Sequence, residues 1–366
     1  MLAAVALTTG CSPTYYFLRQ EPVGNSSFAD PREPAMRAEL GKGSGYYLAD
    51  VPATTNAESP RVTYGVIDVG HKLPLVTVTH GRLDDHQPEL PYDRHTRALQ
   101  VSTPVVFHLL WDPFTPRRSS PIVDTDYEFG VWLNGRMGLS AADTSRPRWE
   151  LRPGVYLGHI STHVGDEYVT HAQADPTFAF PRINVSHEPW RATFGVRRTS
   201  ASRVRGKQFY DFVQAFLQLE GASFDKWRGG SIWYQLEPNE LDGLTAAQLP
   251  PTRYGVDGFV AADWRHYLGK MRMQTEHGDR ARPASLNVAA QAGWMKVFAY
   301  DPVHFGDHEH YAPTVNLFVG YTPDESMVFS LAANPYLRYY RGPNPYGQLR
   351  NDDDFSLLAF GVRWSY

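Results

Sequence analysis

The stretch of this chain best suited to chemistry is a run of alternating polar residues, His159, Ser161 and His163, followed by Asp166 and Glu167. Successive side chains of an extended strand point to opposite faces, so the three alternating residues share one face if the segment is a strand. An imidazole beside a serine hydroxyl can accept its proton and make the oxygen a nucleophile. The same side chains could instead form a hydrogen-bonded network inside a β-barrel, or contact a ligand or metal ion.

Two further polar clusters lie in segments rich in turn residues. His304, His308 and His310 could ligate a transition metal, although their spacing is loose and a solvated polar loop is the usual explanation of such a cluster. The acidic run at residues 351–354 could hold Ca²⁺, but a charge run at a loop tip is usually solvated.

The elements around these residues have the two-residue period of β-strands. Between residues 123 and 133, the odd positions are apolar or aromatic apart from Thr125, whereas Asp124, Asp126 and Glu128 occupy even positions. Such a strand has one face in lipid and the other in water. Residues 355–366 repeat the pattern. Residues proposed for the aromatic girdles of such a barrel are Trp132, Trp294, Tyr321, Tyr339 and Trp364.

The end of the chain resembles the C-terminal signal that the bacterial barrel-assembly machinery reads, with Gly361 followed by Trp364 and Tyr366. In barrels with this signal the C-terminus is periplasmic, so counting strands backwards sets the topology. The count predicts a transmembrane antiparallel β-barrel of about 12, possibly 14, strands with both termini periplasmic. It also predicts that His159, Ser161 and His163 lie near the extracellular rim.

Composition narrows the classes of function. The 366-residue chain has a net charge of −4, without the clustered Lys and Arg that a nucleic-acid partner requires. Its mean hydropathy of −0.41 is typical of a soluble protein, but the alternating apolar and polar residues of barrel strands give a similar mean. No apolar stretch approaches the ~18 residues of a membrane-spanning helix. Outer-membrane lipids and the assembly machinery are therefore the expected partners.

The beginning of the chain has a different composition. Residues 1–11 combine a short apolar run with Cys11, the single cysteine, and predict a signal or lipoprotein-like segment, which indicates export in a Gram-negative bacterium. Residues 12–60 predict a periplasmic lead-in or plug, and residues 61–366 the barrel.

Residues 28–34, 159–168, 182–186 and 340–348 together resemble a bacterial outer-membrane protein family catalogued as a domain of unknown function. That resemblance implies a barrel in the outer membrane and no particular activity. The His159–Ser161 pair also resembles the core of outer-membrane phospholipase A. This implies Ser161 as nucleophile and His159 as base, with Asn184 orienting the imidazole and Ca²⁺ held by Asp166 or Glu167 beside His163.

Three functions remain open. The first is a non-enzymatic barrel acting as a channel, scaffold or surface protein. The second is a lipid hydrolase of the outer leaflet, and the third is a soluble exported β-protein.

Overall fold

The computed structural model describes residues 14–17, 27–30, 34–44, 61–80, 97–111, 122–139, 148–164, 187–204, 207–222, 255–268, 284–297, 310–323, 333–345 and 355–364. These residues form one antiparallel sheet of 13 strands. The strands are β1 (Thr14–Phe17), β2 (Met36–Ser44), β3 (Arg61–His80), β4 (Arg97–Trp111), β5 (Ile122–Gly138), β6 (Arg148–Val164), β7 (Pro189–Val204), β8 (Lys207–Ala222), β9 (Asp257–Tyr267), β10 (Ser285–Val297), β11 (His310–Thr322), β12 (Ala333–Gly342) and β13 (Phe355–Trp364).

Strands β2 to β13 close into a 12-stranded barrel, which confirms the predicted all-β fold and strand number. Each pairs with its neighbour in sequence, β3 pairs with β4, and β13 closes the ring against β2 with Leu40 opposite Phe360. Strand β2 lies in the segment predicted as a lead-in, so the wall begins before residue 61. Strand β1 is an addition to the wall, because it pairs with β3 at Val76–Thr79, beyond the end of β2.

The two faces of the barrel follow from the sequence alternation. On β5, Phe129 and Val131 are 57% and 51% exposed on the outside, whereas Asp124 and Glu128 face the lumen at 1% and 3%. The predicted apolar and acidic faces are thus confirmed. Trp132 is only 4% exposed because its even position turns it inward, so its assignment to an outer aromatic girdle was wrong.

Large apolar side chains cover the outside of the wall. They occur on nearly every barrel strand and are among the most exposed residues of the protein. They include Leu40, Val69, Val105, Phe129, Val131, Leu157, Phe194, Leu217, Val260, Leu317, Leu337, Leu358 and Phe360.

The barrel has two mouths, which the connections between strands distinguish. We call the end where β13 stops and β2 starts the C-terminal mouth, and the opposite end the distal mouth. The longest connection, residues 223–256, belongs to the distal mouth, and the shortest, residues 205–206, belongs to the C-terminal mouth. Strand β6 ends at the distal mouth.

The lumen near the distal mouth holds a cluster of buried apolar side chains. Its members come from β3, β4, β12 and β13 and are at most 2% exposed: Tyr64, Val66, Leu110, Tyr340, Phe355, Leu357 and Ala359. Among the described residues, none forms a helix with the length and apolar character needed to cross a membrane.

Candidate functional site

His159 and Ser161 lie on the outer face of β6, in line with the exposed Val155 and Leu157. Their cross-strand neighbours on β5 are the outward residues Phe129 and Tyr127, and the register of this pair runs without a bulge. The interpretation of these residues as lumen-facing was therefore wrong. The physical reason is that successive side chains alternate between the two faces of a strand. His159 and Ser161 have odd residue numbers, like the apolar residues on the outer face of β6.

Glu188 is the third polar group at this place on the outer face. The bridge between Ile160 and His187 extends the β6–β7 pairing past its last full pair and brings Glu188 opposite His159. The Nδ1 atom of His159 lies 3.9 Å from the Oε1 atom of Glu188. That distance fits an ion pair but exceeds a hydrogen bond.

The His159 side chain is 33% exposed and that of Glu188 is 21% exposed. The imidazole also contacts the Phe129 ring, with 5.3 Å between the ring centroids. One apolar neighbour and one carboxylate therefore flank the imidazole, while Ser161 lies two residues further along the same face. If the imidazole acts as a base while Nδ1 stays directed at Glu188, Nε2 is the nitrogen that accepts the serine proton.

Sequence reasoning proposed Asn184 for the position that Glu188 occupies beside His159. Asn184 lies outside the described residues, as do Asp166 and Glu167. The signal for Glu188 was available, because it stands directly before Pro189, where β7 begins. Continuing the antiparallel register from Leu157 opposite Trp190 gives the pair His159 and Glu188.

The other predicted site residues are placed only in part. His163 belongs to β6 opposite Thr125, and His310 is the exposed first residue of β11. His304 and His308 lie outside the described residues. Within the described ranges, no group of three or more His, Cys, Asp or Glu side chains could hold a metal ion.

The C-terminal signal residues Gly361 and Trp364 both belong to β13, whereas Tyr366 lies outside the described residues. Gly361 is tightly enclosed: a Cβ atom there would lie 2.6 Å from the Cζ atom of Tyr336 and 2.8 Å from the Cγ atom of Glu39. The glycine thus makes room for a lumen side chain beside the strand that closes the barrel.

Inside the lumen, Asp68 on β3 joins an arginine and a histidine. Its Oδ1 atom lies 2.7 Å from the Nδ1 atom of His108 on β4, and its Oδ2 atom accepts a hydrogen bond from the Nε atom of Arg37 on β2. All three side chains are at most 4% exposed. Burial in a medium of low polarity makes such charges costly unless they are paired in this way.

Glu39 extends this network across the closing strands. The Tyr336 hydroxyl donates to its Oε1 atom at 2.6 Å, and the Arg338 guanidinium donates to its Oε2 atom. Arg338 and Glu39 are buried at 1% and 5% exposure. These contacts join β2 to β12 across β13, because inward side chains reach past the intervening strand.

A second network lies on the opposite wall, nearer the distal mouth. The Arg191 guanidinium binds Glu128 through two hydrogen bonds, of 2.6 and 3.0 Å, and Glu220 through a third of 2.8 Å. Its Cζ atom lies 4.9 Å from the centroid of the Tyr156 ring. The planar guanidinium fork suits this geometry, since it presents several donors in one plane.

Residues 27–30 lie inside the lumen near the C-terminal mouth. The backbone N–H of Phe28 donates to the Oδ1 atom of Asp263 at 2.9 Å, and the Asn316 amide donates to the carbonyl of Ala29. We call residues 27–30 the lumen segment. It occupies space between β9 and β11 that an open barrel would leave to water.

Several solved structures resemble the chain in fold. Outer membrane phospholipase A from Escherichia coli shares 11% identity at a TM-score of 0.41, covering 93% of this chain and 95% of that chain. An outer membrane channel from Pseudomonas putida F1 shares 14% identity at a TM-score of 0.37, covering 92% and 99%. The β domain of the Bordetella autotransporter BrkA shares 10% identity at a TM-score of 0.33, covering 91% and 98%.

No protein-family model matches the chain, and no curated protein matches it. The family predicted from the sequence motifs therefore stays a prediction.

Proposed function

We propose that this protein is an integral barrel of the bacterial outer membrane whose lumen is closed, so that it acts at its surfaces rather than as a water-filled pore. The observation that carries the proposal is the burial of the charged lumen side chains. Glu220, Asp257 and Asp68 are 0 to 1% exposed although they line the inside of a 12-stranded wall.

The apolar outer face supports a position in lipid. A closed barrel satisfies its backbone hydrogen bonds internally, which is required of any structure that spans a bilayer. Strands of 9–11 tilted residues are long enough to cross. The outward rows of Val, Leu and Phe would be costly to hydrate, and lipid chains remove that cost.

Closure of the lumen is supported at three levels along its axis. The apolar cluster around Tyr64 and Leu357 lies near the distal mouth, the two ion-pair networks lie between, and the lumen segment lies near the C-terminal mouth. A wide aqueous channel would leave such polar side chains in contact with water. Within the described residues they contact one another instead.

The direction of insertion follows from the loops. Outer-membrane barrels keep short turns in the periplasm and longer loops outside. We infer that the C-terminal mouth is periplasmic and the distal mouth extracellular. Membrane lipids and the assembly machinery are then the proposed partners, with Gly361, Trp364 and Tyr366 as the proposed assembly signal.

Conductance across planar lipid bilayers tests the closed lumen. We expect purified protein to insert without stepwise currents. We expect the same of Asp263→Ala, which removes the carboxylate that accepts hydrogen bonds from Ser27 and Phe28 of the lumen segment, because the ion-pair networks still fill the barrel. A general porin in the same bilayers is the positive control. Stepwise conductance by the unaltered protein would overturn the proposal.

A second candidate function is hydrolysis of lipid esters. The observation that favours it is the position of His159, Ser161 and Glu188 together on the outer face near the distal mouth. Under the insertion proposed above, an ester bond of an outer-leaflet lipid is within reach of this face. A lumen position would have kept the same residues away from lipid.

Ser161, His159 and Glu188 have distinct roles in this proposed reaction. The Ser161 oxygen attacks the ester carbonyl while His159 Nε2 takes the hydroxyl proton, and Glu188 positions the imidazole through Nδ1. The imidazolium returns the proton to the departing lipid alcohol, which leaves an acyl group on Ser161. Water, deprotonated by the same imidazole, then releases the fatty acid and restores the serine.

Fatty-acid release from phospholipid in mixed micelles tests this candidate. We expect release by the unaltered protein and loss in Ser161→Ala, with Ser200→Ala, which alters a serine on β7 near the C-terminal mouth, as the matched control. Chelation of Ca²⁺ tests the predicted roles of Asp166 and Glu167. Release that survives Ser161→Ala, or no release from any lipid ester, would reject the hydrolase.

A further inference from the structure

The outer face of the barrel near the C-terminal mouth carries charged side chains among aromatic ones. The register of β6 to β9 places four exposed residues in one row across these strands: Trp149, Arg198, Val213 and Trp264. Tryptophan is enriched where a bilayer meets water, and an arginine that faces lipid is tolerated near this boundary rather than at the bilayer centre. In a membrane-spanning barrel the row therefore lies near the lipid headgroups.

Arg198 on β7 is the cation of this row. Its Cζ atom lies 6.0 Å from the centroid of the Trp149 ring on the neighbouring strand β6. Within the described part of the chain, no carboxylate pairs with this guanidinium. A guanidinium beside an aromatic ring can still donate N–H groups to an oxyanion, and phosphate matches its planar fork. Arg198 is therefore suited to bind a lipid phosphate.

Asp211 on β8 is the anion beside the row, on the same outer face and nearer the C-terminal mouth. Its Oδ2 atom lies 2.9 Å from the Nδ1 atom of His266, and its Oδ1 atom accepts a hydrogen bond of 2.9 Å from the backbone N–H of Tyr267. Because an ionised carboxylate only accepts hydrogen bonds, Nδ1 of His266 is the donor. Two donors from β9 thus fix the carboxylate, and its side chain stays partly exposed.

An aromatic ring accompanies this carboxylate on β9. Trp264 stacks on His266, with 5.6 Å between the ring centroids and 3° between the planes. The face of an indole ring attracts an ammonium group, and a carboxylate accepts hydrogen bonds from it. Asp211 and Trp264 therefore supply the two features that recognise a primary ammonium group.

The two opposite charges are close together, but each contacts a different strand. Because Arg198 pairs with Val213, Arg198 and Asp211 are diagonal neighbours, whose Cα atoms are about 7–8 Å apart. Arg198 contacts the ring on β6, whereas Asp211 contacts donors on β9. A positive and a negative group thus lie side by side without pairing with each other. This arrangement is complementary to a ligand that carries a phosphate and an ammonium group.

We propose that Arg198, Asp211, Val213 and Trp264 form a binding site for a phospholipid headgroup that joins a phosphate to a primary ammonium group, as in phosphatidylethanolamine. Arg198 binds the phosphate, and Asp211 accepts hydrogen bonds from the ammonium group beside the Trp264 ring. Val213 contacts the acyl chains next to the headgroup.

His266 is a positioning residue, because it acts through the Asp211 carboxylate. The site rests on the membrane position and the insertion direction proposed above, which put it in the periplasmic leaflet. It does not depend on whether the opposite end of the outer face hydrolyses lipid.

The same arrangement predicts which phospholipids bind best. A primary ammonium group donates three hydrogen bonds, whereas the trimethylammonium group of phosphatidylcholine donates none. Phosphatidylglycerol has the phosphate but no cation for Asp211 and Trp264. We therefore expect phosphatidylethanolamine to bind about tenfold more tightly than either lipid, since it alone makes the charge-assisted hydrogen bond to Asp211.

Native mass spectrometry of the full chain in nonionic detergent tests the site, with these three lipids of identical acyl chains as probes. Arg198→Gln should weaken binding of all three by about tenfold, because each has the phosphate. Asp211→Asn should weaken binding of phosphatidylethanolamine alone and bring it to the level of phosphatidylcholine. If Asp211→Asn does not fold, Trp264→Leu should weaken binding of both lipids that carry a cation and leave phosphatidylglycerol unchanged.

Arg341→Gln is the matched control for Arg198→Gln, because Arg341 is exposed on the outer face of β12 at the distal mouth. Trp294→Leu is the control for Trp264→Leu, because Trp294 is exposed on β10 nearer the distal mouth. Both control variants should bind the three lipids like the unaltered protein.

Co-flotation with lipid vesicles measures insertion separately from headgroup preference. Insertion with equal binding of phosphatidylethanolamine and phosphatidylcholine would overturn the headgroup site and leave the proposed function in place. A chain that does not insert would overturn both. Equal weakening by Arg341→Gln and Arg198→Gln would mean general attraction of charge, and tightest binding of phosphatidylglycerol would mean an anionic headgroup. Either result would also reject the site.

Discussion

The Nδ1 atom of His159 and the Oε1 atom of Glu188 lie 3.9 Å apart on the outer face of the barrel, joined across the edge of β6 and β7. If Glu188 positions the imidazole for Ser161, Glu188→Gln should lower kcat for lipid-ester hydrolysis by at least ~10-fold and up to ~10⁴-fold. KM should change little, because Glu188 does not contact the lipid.

Glu188→Asp is the conservative control and should restore part of kcat. The free energy of unfolding should be nearly the same in both variants, since the side chain is partly exposed. A Gln variant with unchanged kcat would show that Glu188 has no part in the reaction.

A charge on the outer face tests whether lipid covers the barrel. Val131 lies at the middle of β5, and Leu139 follows its end on the same face; they are 51% and 56% exposed. Val131→Arg should lower the free energy of unfolding from lipid vesicles by about 2–4 kcal/mol, and Leu139→Arg by about 0–1 kcal/mol, because the cost depends on depth.

Urea titration in lipid vesicles measures both values. A barrel surrounded by water would accept arginine at the two positions equally. Equal effects would therefore contradict a membrane-spanning position.

Asp68 should be a large contributor to stability, since the buried side chains of Arg37 and His108 both bind its carboxylate. Asp68→Asn leaves Arg37 and His108 without their carboxylate and should cost about 3–5 kcal/mol. In an Arg37→Gln background the same change should cost clearly less. A double-mutant cycle on the free energy of unfolding measures this coupling. Additive costs would show that the ion pair contributes nothing beyond its separate members.

Gly361 should not tolerate a side chain. Gly361→Ala puts a Cβ atom 2.6 Å from the Tyr336 ring and should cost about 1–3 kcal/mol by overpacking. Gly135→Ala is the comparison, because the nearest atom there is the Cγ of Pro153 at 3.1 Å. It should cost less in the same unfolding assay. A Gly361→Ala barrel as stable as the unaltered one would show that Tyr336 moves aside freely.

Strands with long alternation were predictable from sequence, and β5 shows why. Its outward residues are strongly apolar and its inward residues are acidic. The two-residue period therefore predicts a strand, and the apolar set predicts which face points outwards. Strand β2 was missed because its outward face carries Ala38 and Lys42 beside Leu40, which is too weak a pattern to mark a membrane-facing strand. The pairing of β2 with β3 on one side and β13 on the other identifies it as part of the wall.

The face on which His159 lies could also have been predicted from the sequence. It is separated from Val155 and Leu157 by even numbers of residues along the strand, so all three lie on the same face. It was misassigned because polar residues are expected inside a barrel. The lumen networks were not predictable in this way. Tyr336 and Glu39 are 297 residues apart, and their hydrogen bond exists only once the barrel is closed. No local pattern encodes such a partner.

The lumen segment also has a consequence for the order of assembly. The hydrogen bonds that close the barrel join β2 to β13, the contacts most distant in sequence, and such contacts are the slowest to form. Residue 30 is tied to β2 by a chain that can span only about 20 Å. Once β2 is paired with β13, residue 30 therefore lies within about 20 Å of the closing strands, so the lumen segment can reach the interior without a further long-range search.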